Sequence, residues 1–180
     1  MPESWSPQGD RLLYTLVKDA VFSIWTMSLP DRKSERFGDV ATSTMSQTMF
    51  SPDGKWLAYR SQGNIYVQPF PATQAKYQVS AGYAPAWSRN GQQLFFAIGA
   101  QRAFRCRSHS HWPGGSIANR EEFAAPDVAR GLTIRPFDVT PDGRILASIA
   151  TESTPSAQTS PRIHIVYNWF EELKARVPTK

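Results

Sequence analysis

Six aspartates, two histidines and two arginines are the residues of this chain whose types and spacing could do chemistry. Asp10, Asp19, Asp39, Asp53, Asp138 and Asp142 are hard oxygen donors of the kind that separate loops must bring together to hold a calcium ion. His109 and His111 stand at i, i+2, hence on one face of an extended segment, and a third ligand would make them a zinc site. Asp53, Asp138, Asp142, His109 and His111 are therefore the metal candidates. A plainer reading stands beside each. Asp53 and Asp142 lie in Ser-Pro-Asp-Gly and Thr-Pro-Asp-Gly, turns in which the carboxylate bonds its own backbone. Trp112-Pro113 follows the histidines without a further ligand, and neither His-Glu-x-x-His nor a contiguous EF-hand loop occurs. Arg105 and Arg107 share the histidines' face, which makes a solvated basic strand suited to a small acidic ligand or partner.

Nucleophile signals are weaker, and the sequence singles out no catalytic residue. There is no Gly-x-Ser-x-Gly elbow, and the lone Cys106 excludes an internal disulfide and a cysteine-based metal site. His164 sits in the apolar run Ile163 to Tyr167 with no acidic neighbour, as a structural histidine would.

The elements that must position these residues are short strands. The 180 residues are 41% hydrophobic, and fourteen prolines and eleven glycines fall between brief aliphatic and aromatic runs, which favours an all-β class. Lysine and arginine exceed aspartate and glutamate by 20 to 15, but they are scattered, so no nucleic-acid surface is expected. No window approaches the roughly 20 apolar residues of a membrane span, and Met1 to Trp5 lack a leader's basic and apolar regions. As written, the chain is expected in the cytoplasm; an extracytoplasmic place stays open if it is a fragment of a longer protein.

One turn recurs. Trp5-Ser6-Pro7-Gln8-Gly9-Asp10, Phe50-Ser51-Pro52-Asp53-Gly54-Lys55, Trp87-Ser88-Arg89-Asn90-Gly91-Gln92 and Val139-Thr140-Pro141-Asp142-Gly143-Arg144 each open into an apolar strand. Pro7, Pro52 and Pro141 preset φ, Asp53, Asn90 and Asp142 bond back to amides, and Gly9, Gly54, Gly91 and Gly143 take positive φ. The glycines are separated by 45, 37 and 52 positions. Repetition at this period, with four short strands per unit, predicts a β-propeller of about four blades of four antiparallel strands, in units of about 1–43, 44–82, 83–125 and 126–180. At the end of the chain Asn168 can cap, Trp169 and Leu173 are spaced i, i+4, and a short helix is expected up to Pro178.

These turn copies resemble the repeats of TolB-type propellers, which are related to the WD-type repeat. The ending Tyr167-Asn168-Trp169-Phe170-Glu171-Glu172-Leu173-Lys174 resembles the close of propellers that follow bacterial serine/threonine kinase domains, although no kinase motif is present. The resemblance implies a binding or interaction module, a single domain or a propeller fragment. It would take a protein partner, or associate with itself through open blade edges, four units closing alone or two chains joining into eight blades. The alternative, by analogy of fold class, is a calcium-dependent propeller hydrolase, a lactonase acting on N-acyl homoserine lactones. Special function is expected where the repeat breaks, at 102–115 and 151–161.

Overall fold

A computed structural model of the chain describes residues 1–98, 102–107, 120–124 and 137–147. The expected helix before Pro178, His164, His109, His111 and the loop 151–161 lie outside the described residues. What is described is all β, in meanders: β1 (Pro2–Trp5), β2 (Arg11–Lys18), β3 (Val21–Ser28) and β4 (Ser34–Thr42) form the first sheet in that order. The second is β5 (Met49–Phe50), β6 (Trp56–Ser61), β7 (Asn64–Pro69) and β8 (Tyr77–Ala81). The third is β9 (Tyr83–Trp87), β10 (Gln93–Ile98), β11 (Arg102–Arg107) and β12 (Arg120–Ala124), and the fourth sheet contributes the described hairpin β13 (Phe137–Val139) and β14 (Ile145–Ala147). All pairings are antiparallel, and the first strands β1, β5, β9 and β13 approach one another in succession.

The recurring turn makes each first hairpin. In the second sheet Gly54 N donates to Ser51 O at 2.9 Å and Ser51 N to Trp56 O at 2.8 Å, while Ser51 Oγ accepts from Trp56 N at 3.0 Å and donates to Asp53. The same clamp closes on Ser6, where Oγ accepts from Arg11 N at 3.0 Å, and on Ser88, where it accepts from Gln93 N at 2.9 Å. The glycines stand at φ +73, +73, +70 and +83, a region that costs a residue with Cβ. The fourth copy is one residue tighter: Thr140 N donates to Arg144 O at 2.8 Å, so Val139 pairs with Ile145, whereas Phe50 pairs with Leu57 and Trp87 with Leu94.

Register then assigns faces, because side chains alternate along a strand. Leu13 and Ile24 of the first sheet are buried with Phe37, Val40, Leu57 and Tyr59. Ala58, Ile65 and Val67 point the other way and are buried with Leu94 and Phe96 of the third. Phe95 and Ala97 in turn pack with Phe137, Ile145 and Ala147. The second and third sheets therefore bury residues on both faces, and full burial of a side chain such as Leu57 stabilises the fold by about 1.5–3 kcal/mol. Between the first two sheets Phe37 meets Tyr59 edge-on and Phe70 in a stack, at centroid distances of 6.4 and 6.0 Å.

Polar clasps tie successive sheets beside the first strands. Glu3 accepts from Thr48 N at 3.2 Å and from Thr15 Oγ1 at 2.7 Å; Gln47 Oε1 accepts from Ala84 N at 2.8 Å. Each clasp joins positions one repeat apart, 45 and 37 residues. Replacing Ser51 by Ala is expected to destabilise the chain by about 1–2 kcal/mol, because the Trp56 amide loses its acceptor, and Gln47→Ala by about 1–3 kcal/mol for the buried Ala84 amide. Urea denaturation measures both, and a Gln47→Ala chain as stable as the parent would show that the clasp contributes nothing.

Candidate functional site

The turns that make the hairpins also gather at one end of the first strands. Gly54 lies against Gln8 and Pro7 of the preceding turn, and Gly91 against Pro52, so the turns touch in sequence order. They frame an open cavity of about 480 Å³. Trp5 and Pro7 line it from the first sheet, Met49 to Pro52 from the second, Trp87 and Arg89 from the third, and Asp138, Val139 and Pro141 from the fourth. The lining is largely apolar, with one cation from Arg89 and one anion from Asp138. Trp5 is 58% exposed, whereas Trp87 is buried and its indole Nε1 has no hydrogen-bond partner among the described residues.

Repetition explains this composition. Trp5, Phe50, Trp87 and Val139 hold one place in the repeat, directly before the clamping Ser or Thr. Pro7, Pro52 and Pro141 hold the next lining place, and Arg89 stands there in the third copy. Arg89 was the functional candidate that reading for motifs missed. Its signal was present: a long charged side chain in a column otherwise filled by proline.

The turn carboxylates are directed to the backbone. Asp53 Oδ1 accepts from Lys55 N at 3.0 Å as well as from Ser51 Oγ, and Asn90 Oδ1 accepts from Gln92 N at 3.0 Å and Ser88 Oγ at 2.7 Å. Asp142 accepts from the Thr140 hydroxyl and, at 2.6 Å, from Arg144 Nε. Those bonds, the Thr140 hydroxyl first, hold the Asp142 carboxyl below its ordinary pKa although desolvation opposes them. Asp10 accepts from Ser6 Oγ at 2.7 Å, Asp19 sits at φ +52 in the β2–β3 turn, and Asp39 is exposed on β4. Asp138 is the metal candidate that lines the cavity; its Oδ1 accepts from Val139 N at 2.8 Å. Among the described residues no three His, Cys, Asp or Glu converge, so the donor set there does not fit a calcium ion.

The basic face is placed by backbone alone. Arg105 lies on β11 opposite Phe95 and Glu121, and Arg107 opposite Gln93. Elsewhere, burial pushes the Tyr59 hydroxyl above its ordinary pKa, with Tyr66 adding to the shift; Tyr59 donates to Gln68 Oε1 at 2.9 Å. No described helix is long and apolar enough to cross a membrane.

Successive antiparallel meanders with their first strands together, and turns gathered at one end of them, define a β-propeller. Its particular likeness is to TolB. The TolB of Acinetobacter baumannii superimposes with a TM-score of 0.66 at 17% identity, over 84% of this chain and 37% of that one. A TolB candidate from Agrobacterium tumefaciens gives 0.60 at 19% identity, over 82% and 56%. An oligogalacturonate lyase in complex with manganese gives 0.57 at 8% identity, over 82% and 46%. The chain thus has a TolB-type propeller fold and spans between about a third and a little over half of these structures. No family model and no curated protein matches it.

The Asp142 shift has a measurable consequence. A carboxyl whose folded pKa is depressed adds stability above its unfolded value of about 3.9, and that stability is lost as pH falls through the lower folded value. Carboxyl carbon NMR titration should therefore place the Asp142 midpoint below that of an unstructured aspartate, and Thr140→Val should raise it. An Asp142 midpoint at the unstructured value would refute the turn assignment.

Proposed function

We propose that this chain is a propeller binding module without kinase activity, and that the cavity at the turn end is its ligand face. The observation that carries this reading is the pairing of an exposed Trp5 with Arg89 in a cavity to which all four sheets contribute. An aromatic surface beside a guanidinium suits a protein segment that offers an apolar side chain and a carboxylate, since arginine and tryptophan are the commonest anchors of interfaces. Asp138 in the same cavity disfavours a uniformly acidic segment by like-charge repulsion. A small acidic ligand would meet the same Arg89, and the Arg105 and Arg107 strand is a second candidate face for one.

The alternative of a calcium-dependent lactonase requires several carboxylate oxygens around one ion. The lyase of the same fold carries manganese, but at 8% identity that likeness concerns the fold. Here Asp53 and Asp142 are bonded within their own turns, which supports the binding reading over the hydrolytic one.

The deciding experiment compares capture of partners from bacterial extract by the chain and by a Trp5→Ala, Arg89→Glu double variant. A partner retained by the parent and held about tenfold more weakly by the variant supports the cavity, that factor being about 1.4 kcal/mol. Equal retention by both would overturn it. In parallel, hydrolysis of an acyl-homoserine lactone panel that needs added calcium and stops in EDTA would establish the enzyme instead.

A further inference from the structure

The repeat also sets what stands at the other end of the strands, away from the turn-end cavity. Counted from the clamping serines Ser6 and Ser51, Glu3 and Thr48 hold one place of the repeat, and Thr15 and Arg60 hold another. Thr15 and Arg60 both face the next sheet, because their cross-strand partners Ile24 and Ile65 are buried in the clusters that form the first and second junctions. At the first junction the two places complete each other. The Glu3 carboxylate accepts from Thr15 Oγ1 at 2.7 Å and, across the junction, from Thr48 N at 3.2 Å. At the second junction a guanidinium replaces the hydroxyl and a hydroxyl replaces the carboxylate, and Pro85, in the place of Thr48, has no N–H to offer.

The second junction is therefore short of acceptors. Arg60 is half-buried, its Nε is shielded from solvent without a hydrogen-bond partner, and no carboxylate among the described residues stands within ion-pair distance of it. Ser46, whose carbonyl accepts from Arg60 N at 2.6 Å, is fully buried, and its hydroxyl is without a partner too. Gln47 Oε1, next in the chain, is already taken by Ala84 N. Nor does the segment that enters the third sheet bring an acceptor side chain over Ile65: Gly82 lies there, where a Cβ would meet Ile65 Cγ1 at 3.5 Å and Ala97 O at 2.8 Å. A guanidinium that has lost part of its water without meeting an acceptor gains more from an anion than a fully hydrated one does.

We propose that Arg60 is a binding site for a carboxylate supplied by a ligand, which takes at the second junction the role that Glu3 plays at the first. The two Nη groups provide the coplanar donors that match the two oxygens of a carboxylate. Arg60 lies at the end of β6 opposite the Ser51 to Lys55 turn, and no residue of the turn-end cavity takes part. The site therefore stands or falls separately from the binding reading above.

Nuclear magnetic resonance of the isotopically labelled full chain tests the proposal through the Arg60 Nε–H signal, assigned by its loss in Arg60→Lys. Sodium acetate at constant ionic strength should move that signal saturably, with a Kd on the order of 1–10 mM, and chloride should not. Acetate should also raise the urea midpoint of the parent above its value in chloride, since a ligand that binds the folded chain stabilises it. Arg60→Gln should lose that rise. Arg60→Lys keeps the charge but not the planar pair of donors, and should bind acetate about tenfold more weakly. The parent titration decides the matter even where a variant does not fold. An unmoved Arg60 signal, the same shift in chloride, a shift with phosphate but not with acetate, or an Arg60→Gln chain stabilised by acetate as much as the parent would each overturn the proposal.

Discussion

The Ser or Thr hydroxyl at the head of each turn is the interaction on which the rest of the structure depends. It closes the hairpin by accepting from an amide five residues on in three copies, and so fixes how many residues the turn contains. Because side chains alternate along a strand, that number decides which residues face forward and which face back. The fourth copy makes the point by exception. With Thr140 N bonded four residues on, to Arg144, Ile145 takes the inward role that Leu57 and Leu94 play, and Leu146 is turned to the opposite face.

From that register follows a core made between sheets and not within them. A single four-stranded sheet has two apolar faces and can satisfy neither alone. The aromatic group of Phe37, Phe50, Tyr59 and Phe70 shows how much of the burial is shared between neighbours. The clasps of Glu3 and Gln47 serve the same junctions with polar atoms, occupying backbone amides at or beside the strands that form the sheet edges among the described residues. Apolar packing supplies most of the stabilisation and the clasps align it.

The same economy limits where ligand chemistry can reside. A carboxylate already accepting two hydrogen bonds from its own turn is a poor donor to a metal, and Asp53 and Asp142 are so occupied. The groups left to meet a ligand at the turn end are those that the clamp does not use: Trp5 before the serine, and Arg89 where a proline would otherwise stand. On the binding reading proposed above, a regular turn and a ligand would constrain adjacent but different positions.

The sequence by itself determined the strand-and-turn grammar, since proline, glycine and the side-chain acceptor act locally and their copies could be aligned by eye. It also foretold that the turn aspartates would have backbone partners, as Asp53 and Asp142 do. The cavity was not legible, because Trp5, Arg89 and Asp138 are up to 133 residues apart and meet only through the succession of sheets. Nor was the difference between Tyr14 and Tyr59, two tyrosines at the same place in the repeat. Tyr59 is sealed and Tyr14 partly open because, among the described residues, only Tyr59 has a sheet packed over it, and burial is a property of neighbours that no local pattern encodes.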